Sequence, residues 1–199
     1  LINNTMKNDE YGIAFNTANI NNTLRNNKMT KCGFIVNSPM SHSDLASNKI
    51  DQTNTVNERT LYFYTNEENL GVDQFINAGQ VTLVNCNNSR FMNLNVSYST
   101  NGVQIISSHN ITMTNITSNF NGIGMVFFGF SSTNQNNTII NCTIKHNTNG
   151  IIVYGSNENF TISGNLIEYN DYSIFLYGQN NNNTLKLNTF NHNEVGIAI

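Results

Sequence analysis

The ionisable residues of this chain open two kinds of chemistry, and their spacing weakens both. Glycoside hydrolysis needs two carboxylates held about 5–10 Å apart, and twelve Asp and Glu residues are available. Asp9, Glu10, Asp44, Glu58, Glu67, Glu68, Asp73 and Glu158 stand in polar, turn-like surroundings. The best group is Glu168, Asp171 and Glu194, in which the last two are one repeat of the chain apart. Metal binding would draw on His146 and His192, but Tyr169 lies midway between them. Two repeat spacings would separate those imidazoles by about 9.6 Å, too far for one ion bound at about 2 Å from each nitrogen. His42 and His109 stand apart, and Cys32, Cys86 and Cys142 show neither paired metal spacing nor a disulfide framework. The six methionines are spread along the whole length, which gives no soft-ligand cluster for copper. No catalytic residue, metal ligand or cofactor is assigned from these residues. Modification is the other prospect. Asn3, Asn21, Asn87, Asn95, Asn110, Asn115, Asn136, Asn141, Asn159 and Asn182 each open an Asn-x-Ser/Thr sequon. Asn136 and Asn182, in polar loop-like runs, are the glycosylation candidates.

The elements that must carry these residues are unusual in composition. Asn fills about a fifth of the chain, Pro occurs once and Trp never. Asn is disfavoured inside helices and ordinary strands but tolerates left-handed turns, so the choice is between low complexity and a fold with very many turns. A net charge of −3 with 11% charged residues has neither the sign nor the size expected of a nucleic-acid binder. No run is apolar and long enough to insert in a membrane. The chain opens with Leu in the middle of a pattern, which reads as a fragment of a longer protein continuing past both ends or capped there.

That pattern settles the fold. Gly12, Gly102, Gly122, Gly150 and Gly196 each precede an apolar-x-apolar triplet, and Ser173 takes the same place before Ile174 and Leu176. Six residues upstream stand Met6, Val96, Ile116, Ile144, Ile167 and Phe190, and five further upstream Leu1, Phe91, Ile111, Ile139, Ile162 and Leu185. Leu24, Met29, Gly33, Phe34 and Val36 repeat the template with a shortened turn, and Gly79, Val81 and Leu83 repeat it in part. Period-two alternation marks short strands with one inward face. Three strands and three turns consume about 23 residues, and stacked coils pair strand with strand. The expectation is an all-β, right-handed, single-stranded parallel β-helix spanning 1–199 as one domain. Ile144, Ile167 and Phe190 should share one inward column, and Ile151, Ile174 and Ile197 another. Leucine-rich and helical repeats fail for want of their frameworks and helix formers.

Two stretches break the repeat and read as insertions. Residues 45–78 hold a β-hairpin or strand pair around Asn57-Glu58, projecting from the helix, and 127–137 form a shorter bulging loop. Asn119, Asn147, Asn170 and Asn193 recur three residues before their markers, either as a turn ladder bonding coil to coil or as a polar recognition row. Tyr98, Phe120, His146, Tyr169 and His192 form a column of rings.

The segments Asn48-Lys-Ile-Asp51, Thr55-Val-Asn57, Leu61-Tyr-Phe-Tyr64 and Ala78-Gly-Gln-Val-Thr-Leu-Val-Asn-Cys86, with the flanking Asn-x-Thr-Ile and Asn-Gly-Ile repeats, resemble the NosD-like parallel β-helix proteins of archaea, especially methanogens. The likeness covers nearly the whole chain. It implies an extracellular, cell-surface or periplasmic-like location and a link to envelope polysaccharide, since that group includes surface-layer proteins, a periplasmic accessory of copper-enzyme maturation, and sugar-binding and sugar-cleaving helices. It identifies no catalytic residue here.

The expected function is therefore a non-catalytic structural or adhesive domain of an archaeal cell-surface protein. Its partners would be other surface proteins, neighbouring subunits or polysaccharide, with no nucleic acid among them. The alternative is a polysaccharide hydrolase, lyase or epimerase, or a sugar-binding relative of one. Contact is expected at the outward residues of the Gly-apolar-x-apolar strands. These are small or polar early on (Ala14, Gln104, Gly124), then Ile152 and Phe175, with Tyr154 and Tyr177 two residues on. Such a contiguous patch either marks an interface or is a stack covered by 127–137.

Overall fold

The computed structural model describes residues 1–17, 19–37 and 40–199; the side chains of Phe130 and Ser131, inside the 127–137 stretch, lie outside the described residues. The alternating segments form short strands that wind into a right-handed parallel β-helix of about eight turns. Right-handed winding is what parallel crossovers of twisted strands require. The longest sheet holds eleven strands among the described residues, and its C-terminal part stacks Ala78–Val84, Asn101–Ile106, Ile123–Gln135, Asn149–Glu158, Tyr172–Tyr177 and Val195–Ala198. A second sheet runs Arg90–Met92, Thr112–Thr114, Thr138–Ile140, Thr161–Ser163, Thr184–Lys186, and a third Thr117–Asn119, Thr143–Lys145, Leu166–Glu168, Thr189–Asn191.

The interior consists of columns. Val81, Val103, Met125, Ile151 and Ile174 are in register and fully buried, with Ile197 following at the last coil, where one neighbour only stacks on it and it is partly exposed. Ile144 and Ile167 are fully buried and in register with the half-buried Phe190. One coil departs from the expected register. Met113, not Ile111, pairs with Phe91 and Ile139, and Ser118, not Ile116, pairs with Ile144. The marker of that coil is Gly124, because Val103 and Ile151 both pair with Met125. A two-residue slip keeps every side chain on its own face, so alternation alone does not detect it. Glycine is needed at the true marker: a Cβ on Gly124 would lie 2.5 Å from the Gly150 carbonyl oxygen of the next coil.

The turns are held by asparagine. Asn121, Asn147, Asn170 and Asn193 form a ladder in which each Oδ1 accepts the backbone N–H of the preceding coil, at 2.9 Å for all three steps. Asn119, placed in this row by the slipped register, belongs to the third sheet instead, where its Oδ1 accepts from Lys145 N. Asn165 and Asn188 make a second ladder, and Asn4, Asn27 and Asn54 a third. Buried amides need such partners, and the ladders are turn supports.

The stretch 45–78 departs from the projecting form expected. Thr55–Val56 and Arg59–Thr65 do form an antiparallel hairpin, but it lies within the long sheet. Thr5–Lys7, Lys28–Thr30 and Thr55–Val56 pair in parallel on one side of it, and Arg59–Thr65 pairs with Ala78–Val84 on the other. Both hairpin edges find strand partners, which removes two open edges. The chain direction reverses there, and the first coils fold back over the outer face of the later ones.

That fold-back makes a second core. Phe34, Val36, Met40 and Leu45 of the N-terminal coils pack with Leu61, Val84 and Ile106 of the long sheet. Gln104, expected on an open face, is outward from its own coil yet fully buried beneath this layer. The second interruption is a register shift between Gly129 and Asn134 within the strand Ile123–Gln135.

Candidate outer-face contact site

The N-terminal layer covers the early coils of the long sheet and leaves the outer face of the later coils as the candidate site. Parallel pairing sets Ile152 beside Phe175 and Tyr154 beside Tyr177, so all four residues singled out in the sequence come together. The column behind them is Gln104, Val126, Ile152 and Phe175; Val126 stands where Gly124 was expected, by the same slip. The rings of Tyr154 and Tyr177 stack at 5.0 Å, and Phe175 lies 6.0 Å from Tyr177. Tyr177 is 54% exposed and Tyr154 37%, while Ile152 and Phe175 are half-buried. The 127–137 stretch reaches this patch through Phe128, whose ring meets Tyr154 edge-on at 6.3 Å, but it leaves the tyrosines in contact with solvent. Tyr172, 40% exposed, joins the patch through Phe175 at 5.7 Å. Sequence reasoning missed it because it precedes Ser173, outside the alternation that identified the others.

A second exposed aromatic feature runs along one turn. Tyr98, Phe120, His146, Tyr169 and His192 stack with centroid separations of 4.7 to 4.9 Å. All five have φ between 53° and 61°, the left-handed conformation that Asn adopts at most other such turns. For bulky residues this conformation costs roughly 1–3 kcal/mol each, and a ring stack returns about 0.5–1.5 kcal/mol per pair. Five strained residues share only four stacked pairs, so the stack offsets part of the backbone strain and leaves no surplus. Tyr169 separates the two imidazoles as expected, and among the described residues no group of three His, Cys, Asp or Glu could hold a metal ion.

The carboxylates are dispersed. Glu168 forms an ion pair with Lys145 at 2.7 Å and accepts from Asn191 Nδ2 at 2.8 Å, which together hold its carboxyl below the usual range. Asp171 and Glu194 occupy adjacent coils, with Val195 N donating to Asp171 O at 2.8 Å, and both are exposed. Cys86 and Cys142 are buried and their thiols are pushed up to about 11 by desolvation, which makes them core residues and poor nucleophiles.

The glycosylation candidates sit on the surface. Asn136 and Asn182 are exposed, with φ of 55° and 54°. They share one column with Asn110 and Asn159, because each left-handed Asn turns the chain into a strand whose first residue is the sequon threonine. Sequon abundance thus follows from turn geometry.

A family model described as a right-handed β-helix region matches residues 71–199. No curated protein and no solved structure matches the chain.

Proposed function

We propose that this chain, which belongs to the right-handed β-helix family, is a non-catalytic display and adhesion domain of a cell-envelope protein. It contacts polysaccharide or a neighbouring surface protein through the outer face of its later coils. The observation that carries this reading is the cluster of exposed Tyr154, Tyr172 and Tyr177 around the half-buried Phe175 on one face of the long sheet. Contiguous exposed apolar surface marks contact sites, and tyrosine suits partners that offer both C–H faces and hydroxyls. The engagement of Glu168 by Lys145 and Asn191 supports a role without turnover. The NosD-like resemblance supports the finer placement, a cell-surface or periplasmic-like protein of an archaeon.

The test is retention in native gels cast with soluble glucan, mannan, galactan or envelope polysaccharide. The folded triple variant Tyr154→Ala, Phe175→Ala, Tyr177→Ala should lose the retention shown by the wild-type chain. Retention equal to wild type would remove this face from the account. The second reading is a carbohydrate-active enzyme, for which the stacked, exposed Asp171 and Glu194 speak. Release of reducing ends from one of these polymers, abolished by Asp171→Asn, would favour it.

A further inference from the structure

The aromatic face of the later coils has a direction. Tyr172, Phe175 and Tyr177 follow one another along the single strand Tyr172–Tyr177. Their ring centroids are 5.7 Å and 6.0 Å apart, with planes tilted by 40° and 42°. Along the helix axis the rings behave differently. Tyr154 and Tyr177 stack at 5.0 Å with planes 21° apart, so each spends one face on the other. The row along the strand therefore keeps ring surface that the column gives up. Past Tyr177 the chain runs into exposed Gly178 and Gln179, and Asn180–Asn181 then pairs with Asn157–Glu158 of the preceding coil.

We propose that this row is a track for a linear, neutral polysaccharide that lies along the strand, across the helix axis, with one sugar unit over each of the three rings. The proposal rests on the contact reading above and decides between its two partners. Area is the first reason. At about 200 Å² per aromatic side chain, exposures of 37% for Tyr154, 40% for Tyr172 and 54% for Tyr177 leave about 260 Å² of tyrosine open. A standard protein interface takes about 800 Å² from each partner, whereas a few sugar rings need no more than the row offers.

Charge is the second reason. The strands Ile123–Gln135, Asn149–Glu158, Tyr172–Tyr177 and Val195–Ala198 contain no Lys or Arg, and Glu158 is their one charged residue. Asp171 and Glu194 stand just before the last two strands and are exposed. No side chain of these strands balances an anionic polymer, and the bordering acids repel one. The third reason is spacing. Ring separations near 6 Å are comparable to the step between units of an extended glycan. Aromatic faces suit the C–H faces of sugars, and the Tyr172 and Tyr177 hydroxyls and the exposed Gln179 amide suit their hydroxyls.

The experiment titrates the full chain calorimetrically with cello-, manno- and laminari-oligosaccharides of two to six units, and with hexagalacturonate as the anionic control. At least one neutral series should bind, with affinity rising about tenfold from two units to three and flattening beyond four. Tyr172→Ala and Tyr177→Ala remove exposed rings without touching the core, and each should weaken binding of the trisaccharide about tenfold. Tyr154→Ala should cost less than either, because a face of that ring is spent on Tyr177. A loss for Tyr154→Ala larger than that for Tyr172→Ala would place the glycan along the helix axis and overturn the track. Hexagalacturonate bound as tightly as the neutral chains overturns the selection by charge. Self-association of the wild-type chain that Tyr172→Ala abolishes makes the row a protein interface and overturns the glycan. Absence of binding by all three neutral series overturns the track; the contact reading then stands if the triple variant still loses retention in the polymer gels, and falls with it if the wild-type chain is not retained.

Discussion

Gln80 binds the backbone of Phe34 on both sides: its Nε2 donates to Phe34 O at 2.6 Å and its Oε1 accepts from Phe34 N at 2.9 Å. One coil later Gln104 repeats the arrangement, donating to Phe34 O at 2.9 Å and accepting from Val36 N at 3.1 Å. Two side chains thus do for the edge strand Phe34–Val36 what a neighbouring strand would do. This is how the folded-back coils remain attached without an open edge.

Gln80→Ala should therefore act on the attachment more than on the helix. It leaves the buried Phe34 N–H without its side-chain partner, which costs about 1–3 kcal/mol, while Phe34 O keeps the bond from Gln104. Native-state hydrogen exchange should show faster exchange across the strands Ile13–Phe15 and Phe34–Val36, with protection retained in the coils from Asn101 to Tyr177. Uniform loss of protection along the whole chain would show that the two parts do not open separately.

The Asn170 position tests the ladder. Its Oδ1 accepts from Asn147 N at 2.9 Å and Asn147 Nδ2 at 3.0 Å, while its Nδ2 donates to Glu168 O, Ile144 O and Asn193 Oδ1. Asn170→Ala should lose at least about 2 kcal/mol in denaturant unfolding, since several buried groups lose their partners. Asn170→Asp should do no better, because a carboxylate supplies the acceptor but not the donors and brings a buried charge. An unchanged midpoint for either variant would mean that the ladder is incidental.

Much of this was legible in the sequence because the repeat encodes burial directly. The columns through Ile151 and Ile174, the ring column through Tyr169, and the meeting of Tyr154 with Tyr177 all followed from spacing. Two features did not. The coil of Met113, Ser118 and Gly124 was read two residues early, since such a slip leaves alternation intact and the irregularity between Gly129 and Asn134 hides the longer coil. The hairpin at Asn57-Glu58 was read as a pair, but its place inside the sheet depends on which edges are free, a tertiary matter.

Tyr169→Asn weighs stacking against backbone strain. Asn is at ease at a φ near 56°, which recovers roughly 1–3 kcal/mol. The change removes the contacts with His146 and His192, each at 4.9 Å and each worth about 0.5–1.5 kcal/mol. The terms nearly cancel, so the unfolding free energy should move by less than about 1 kcal/mol. A loss above about 2 kcal/mol would show that the ring stack is a net source of stability.

The asparagine column makes a prediction about glycans under the envelope reading. Asn110, Asn136, Asn159 and Asn182 stand one coil apart, about 4.8 Å per step, and a hexose with its hydroxyl groups is wider than that. Adjacent sites therefore cannot both be occupied without crowding, and occupancy should alternate. The Asn110 amide is already committed, donating to Asn88 Oδ1 at 2.9 Å, which leaves Asn136 and Asn182 as the alternating pair. Glycopeptide mass spectrometry of the protein from its native source should find sugar at Asn136 and Asn182 and bare peptide at Asn159. Replacing both by Gln should then transfer modification to Asn159, now free of neighbours. Glycan on Asn159 together with either neighbour in the same molecule would show that coil spacing does not govern occupancy.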